Sequence, residues 1–116
     1  MALLRITKIV AGPEDTRITF RYRAAEESRR IGVYPPGADG AFVITNAEES
    51  QTYKLRKIDG ISTLPERTTV GRGEMLEFTL VFDSIPTTLN KIHVGEGKYS
   101  PDAGETSWHF LDIDLK

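Results

Sequence analysis

At 116 residues, with 39% hydrophobic and 28% charged residues, the chain has the size of a single domain (residues 1–116) that can close a core unaided. That composition argues against a disordered tail and a membrane span, and a formal charge of -2 gives no global attraction to nucleic acid. The absence of cysteine removes disulfides, thiolate catalysis and zinc-thiolate sites together.

The opening MALLRITKIVAG alternates like a strand, with Leu4, Ile6 and Val10 on one face and Leu3 and Ile9 on the other. Arg5 and Lys8 interrupt the apolar core a signal peptide would need. As written the chain reads as cytoplasmic; an excised domain of an exported protein would read the same. Gly12 to Asp15 supplies a turn, and Thr16 to Arg23 follows as a strand in which Ile18, Phe20 and Tyr22 alternate with Arg17, Thr19, Arg21 and Arg23. Ala24 to Arg30 has helix-forming composition but no apolar stripe and too little length, so it reads as a loop.

Ile31 to Tyr34 reads as a short strand stopped by Pro35-Pro36-Gly37, and Ala41 to Thr45 resumes as the next. Thr52 to Ile58 alternates Tyr53 and Leu55 against Lys54 and Arg56. Asp59-Gly60 is a hairpin signal, after which Ile61 to Leu64 turns back or switches sheets, and Thr68 to Val70 is extended. The cleanest strand lies within Gly73 to Pro86, where Leu76, Phe78, Leu80 and Phe82 fall on every second position. Asn90 to Gly95 comes next, with Ile92 and Val94 facing one way. Gly95 to Ser107 is a Gly-, Pro- and acid-rich loop, and Trp108 to Leu115 closes the chain with Leu111, Ile113 and Leu115 inward. Short strands with turn signals between them and no convincing helix specify an all-β antiparallel sandwich of about seven to nine strands; a small barrel is the rival.

Charge is partitioned along the chain. Up to Lys57 there are ten Lys or Arg against seven acids; after it there are five against ten. Arg17, Arg21 and Arg23 form a basic row suited to phosphate or an acidic partner, or a solvated sheet face whose charges discourage edge pairing. Asp102, Glu105, Asp112 and Asp114 match no calcium-loop spacing, so no metal is assigned. Tyr99, Trp108 and His109 offer an aromatic platform, although a Trp opening the last strand is better suited to capping the core. Ser107 and His109 share a strand face without an oxyanion hole. The glycine pairs at Gly71 and Gly73 and at Gly95 and Gly97 lack the rest of any phosphate-binding motif, so neither catalysis nor a cofactor is indicated.

The strand TRITFRY, the segment AFVITNAEESQTYKL, the run VGRGEMLEFTLVFDSIP and the ending SWHFLDIDLK together resemble the telokin-like, immunoglobulin-type accessory domains of bacterial proteins. The resemblance covers most of the chain as a pattern of strand spacing. It implies an immunoglobulin-like sandwich acting as a non-catalytic module of a larger bacterial assembly, and it carries over no functional residue.

The sequence therefore points to a protein-interaction or accessory module, not an enzyme. It expects a protein partner, a second copy included, with no nucleic acid and no membrane span. The candidate partner-binding residues are Tyr99, Trp108, Glu96, Asp102 and Glu105, at one loop end of the sandwich. A carbohydrate or small-ligand module using Tyr99 and Trp108 is the alternative. A structural subunit associating through an exposed edge strand, such as Thr52 to Ile58, is the second.

Overall fold

The computed structural model describes residues 2–96 and 108–115, with side chains from residue 4 onward. Nine strands and no helix are present among the described residues: β1 (Ala2–Ala11), β2 (Asp15–Ala24), β3 (Arg29–Ile31), β4 (Phe42–Asn46), β5 (Thr52–Asp59), β6 (Thr68–Val70), β7 (Met75–Asp83), β8 (Lys91–Glu96) and β9 (His109–Asp114). Seven form one curled antiparallel sheet in the order β1-β2-β7-β5-β4-β8-β9, and β3 and β6 form a separate ribbon.

The curl originates in β5. Its first residues pair with β4, where Thr52 and Lys54 lie opposite Thr45 and Val43, while Leu55 to Asp59 pair with β7. The register shifts between Leu55 and Lys57, and a strand that changes neighbours at a bulge turns a corner in a sheet. The two halves consequently face each other. Phe20 of β2 touches rings from three other strands: Phe78 at 5.2 Å, Phe42 at 5.4 Å and Phe110 at 6.1 Å. The inward rows read from sequence for β2 and β7 are in place, with Ile18, Phe20, Tyr22, Phe78, Leu80 and Phe82 all buried, while Val81 is buried in addition and Leu76 only partly. Val70 of the ribbon and Val33, just beyond it, complete the same core.

Several boundaries and faces differ from the sequence reading. Pairing expected over Ile31 to Tyr34 falls on Arg29–Ile31, and Val33 makes only an isolated parallel bridge to Thr63, so Ile61 to Leu64 forms no strand. Gly60 takes a φ of 92°, and instead of a hairpin the chain leaves β5 close against the backbone of Glu77 and Phe78. In β1 a register shift between Ile6 and Lys8 reverses the alternation, so Ile9 packs with Leu4 and Ile6 while Val10 is 45% exposed. In β9 a shift against β8 does the same, turning Phe110 inward and leaving Leu111 45% exposed. β5 is an interior strand, not the exposed edge suggested for Thr52 to Ile58; among the described residues the outer strands of the seven-stranded sheet are β1 and β9.

One buried group departs from the polar bookkeeping. Thr16 is fully buried at the head of β2, and its Oγ1 has no hydrogen-bond partner among the described residues. A hydroxyl in that position loses its hydration without compensation. Thr16→Val keeps the shape and removes the polar atom, so it should raise the unfolding free energy by about 1 kcal/mol in urea denaturation.

Candidate functional site

Outward-facing residues of four strands line up in two cross-strand rows. The first runs Lys54, Val43, Gly95, His109 across β5, β4, β8 and β9. The second runs Thr52, Thr45 and His93, ending where Leu111 and Asp112 bulge out of the β9 pairing. These rows floor a groove of about 370 Å³, walled on one side by Gly37, Ala38 and Asp39 and bordered by Glu49. Its size falls in the range of small-ligand and peptide-side-chain sites.

Gly95 interrupts the first row of side chains. A Cβ at that position would collide with Nδ1 of His109, whose ring lies across the glycine. Glycine inside a strand commonly marks such a close approach. Burial pushes the His109 imidazole below its ordinary pKa, since the charged ring would lose hydration there.

A turn and a strand bulge border the groove, and one side chain contacts both. Glu49 (φ 58°) and Asp112 (φ 53°) are the two non-glycine residues in the left-handed region among those described. Glu49 sits in the β4–β5 turn, where Asn46 Oδ1 accepts the Ser50 and Gln51 amides at 2.9 and 3.0 Å and Nδ2 donates to Ser50 Oγ at 3.0 Å. His93 lies between that turn and the β9 bulge. Its Nδ1 accepts the Asp112 amide at 3.0 Å, and its Nε2 lies 3.3 Å from the Ala47 carbonyl oxygen. A ring protonated on Nε2 alone meets both contacts. It gives the amide displaced by the bulge an acceptor and ties β8 to the loop. Left-handed backbone outside glycine is costly and persists where surrounding contacts enforce it.

The residues singled out from sequence are distributed differently. Tyr99, Asp102 and Glu105 lie outside the described residues, as does most of the expected Gly95 to Ser107 loop. Trp108 is half-buried and packs edge-on against Tyr22 at 5.9 Å, as a cap on the core. Glu96 is tied to it: its Oε1 accepts the Trp108 amide at 3.1 Å, and its own amide donates to the Trp108 carbonyl at 2.9 Å. Arg17, Arg21 and Arg23 occupy the outer face of β2 in the other half of the sheet. Arg17 pairs with Asp15 at 3.5 Å and Arg21 with Glu77 at 3.2 Å, both exposed and therefore weak. No group of three His, Asp or Glu side chains converges as a metal site among the described residues. Nor is any helix long and apolar enough to cross a membrane.

The groove residues Val43, Thr45, Lys54, His93 and Gly95 went unassigned in the sequence. The available signal was a glycine and a histidine within one short strand, with a second histidine at the start of the next. Comparison with protein-family models, curated proteins and solved structures finds no match.

Two outcomes follow from this geometry. His93→Ala leaves the Asp112 amide without its acceptor, so it should cost about 1 kcal/mol of stability and accelerate hydrogen exchange at that amide. Burial, partly offset by the Trp108 amide, raises the Glu96 carboxyl above its ordinary pKa. The folded state then holds the proton more tightly than the unfolded state, so stability falls as pH rises from the ordinary glutamate range through the raised value. Glu96→Gln should therefore raise the melting temperature near neutral pH, and the gain should vanish below a pH of about 4.

Proposed function

We propose that the chain is a non-catalytic protein-interaction module, an accessory domain of a larger assembly, which binds a partner segment in the groove over β4, β5, β8 and β9. The observation that carries this reading is a concave, part-apolar surface built on paired strands and bordered by a turn and a bulge with left-handed backbone. A rigid frame with loops at its margin lowers the ordering cost of binding. The floor offers Val43 and Leu111 for apolar contact, with Thr45, Thr52 and Lys54 for polar contact. That mixture suits a peptide segment carrying both an apolar side chain and backbone polar groups.

An immunoglobulin-like sandwich is the architecture this reading adopts. Supporting it is the strand order: β1, β2, β7 and the end of β5 on one side, β4, β8 and β9 on the other. That order is consistent with the ABED and CFG arrangement of constant-type domains if β5 stands for strand D. The two-stranded ribbon is an addition to that plan. A carbohydrate module using Tyr99 and Trp108 is the weaker reading, because the described part of that pair is engaged with Tyr22.

Panning a random peptide display library against the immobilised chain should enrich sequences whose binding is lost in Val43→Arg, which fills the groove. The same binding should survive Arg21→Ala on the far half of the sheet. Binders indifferent to Val43→Arg would overturn the assignment. So would a chain that selects no peptide yet shows Trp108 fluorescence changes with glycans.

A further inference from the structure

The sheet is curled but not closed. Among the described residues, β1 pairs only with β2 and β9 only with β8, so each presents a free edge. Phe20 and Tyr22 of β2 fix where those edges lie. Phe20 is opposite Ile6 of β1 and touches Phe110 beside β8; Tyr22 is opposite Leu4 and touches Trp108. Both edges therefore border the same open side of the molecule, at matching heights. Every neighbouring pair in the seven-stranded sheet is antiparallel, so its first and last strands run in the same direction.

The two edges carry opposite charge. β1 has Arg5 and Lys8 and no acid; β9 has Asp112 and Asp114 and no Lys or Arg. Arg5 and Lys8 are exposed and have no ion-pair partner among the described residues, and Asp114 remains 70% exposed despite its 3.7 Å contact with Lys91. Counting two residues onward from the Ile6 and Phe110 level places Lys8 at the height of Asp112, and Val10 at the height of Asp114. Across the opening of one molecule these rows are held apart by the thickness of two stacked layers, about 10 Å, whereas neighbours on paired strands approach to about 5 Å. Each edge strand also exposes one large apolar side chain, Val10 on β1 and Leu111 on β9, both 45% exposed.

We propose that the open side is a homodimerisation surface on which β1 of each copy lies beside β9 of the other. A two-fold axis along the strands makes both contacts at once, with the pairs parallel. The competing two-fold arrangement sets β1 against β1 and β9 against β9. It would gain antiparallel hydrogen bonding but bring Arg5 and Lys8, or Asp112 and Asp114, against their own kind. Edge charge, which blocks unwanted pairing in many sheets, here discriminates between two pairings. Parallel ladders beside bulged strands are modest in strength, so the dimer belongs at the weak end of the affinity scale and weakens with salt.

Sedimentation velocity on the full chain over a wide concentration range, at low and high salt, tests this directly. The expected result is a monomer–dimer equilibrium that stops at two copies and shifts toward monomer in salt. Arg5→Glu with Lys8→Glu makes both edges acidic. Asp112→Asn with Asp114→Lys makes both basic while keeping a residue that tolerates the left-handed backbone. Each double variant should be monomeric alone, with an unchanged circular dichroism spectrum, and an equimolar mixture should restore the dimer. A wild-type chain that stays monomeric throughout, variants that dimerise like the wild type, or a mixture that stays monomeric would each overturn the proposal. Groove variants such as Val43→Arg should leave this equilibrium untouched, which separates its failure from that of the peptide-binding reading.

Discussion

The divided pairing of β5 is the constraint on which the rest of the architecture depends. A strand with the same neighbour along its whole length extends a flat sheet; β5 gives its first residues to β4 and its last to β7. The register shift beside Arg56 turns the sheet through the corner, and Arg56 secures it from outside, donating to the Glu14 carbonyl at 3.0 Å and lying 3.7 Å from Asp83. The Asp83 carboxylate also accepts the Lys54 amide at 3.3 Å, a donor next to the point where the strand changes neighbours. These exposed contacts are individually small. Their importance is positional, because the corner brings Phe42 and Phe110 over Phe20 and Phe78. Stacked and tilted aromatic rings then supply both buried area and a preferred geometry.

Core and edges were unequally legible in the sequence. β2 and β7 are interior strands paired in unbroken register over nine positions, so their inward rows could be read directly, although Val81 on the other face of β7 is buried as well. The errors fall where one strand gains a residue relative to its neighbour. A bulge near Thr7 carries Val10 outward, and another at Asp112 carries Leu111 outward, since one inserted residue reverses the face of everything beyond it. No local composition marks those insertions. They are set by what lies opposite, which is a property of the folded pairing.

The candidate groove was hidden for the same reason. Gly95 and His109 are far apart in sequence, and only the β8–β9 register places them opposite each other. His93 draws its role from a bulge in the adjacent strand and a carbonyl in a distant turn, neither of which its own surroundings in the sequence disclose. Sequence reasoning looked for a loop held by a rigid sheet. It placed the emphasis on Tyr99 and Trp108, whereas the described site rests on small residues and two imidazoles.

The charge asymmetry along the chain acquires a spatial meaning in the fold. Basic residues concentrated before Lys57 include those on β1 and the outer face of β2, while acids concentrated after it include those on β9. Because the corner at β5 folds the sheet back on itself, the first and last strands come to border one opening with opposite signs. Closing that opening within one chain would require β1 and β9 to cross the thickness occupied by Phe20 and Phe110, so the core that stabilises the monomer also keeps its edges apart. Their complementary charges can approach pairing distance only on another strand. The packing that produces the fold thus leaves the edges chemically matched and sterically separated.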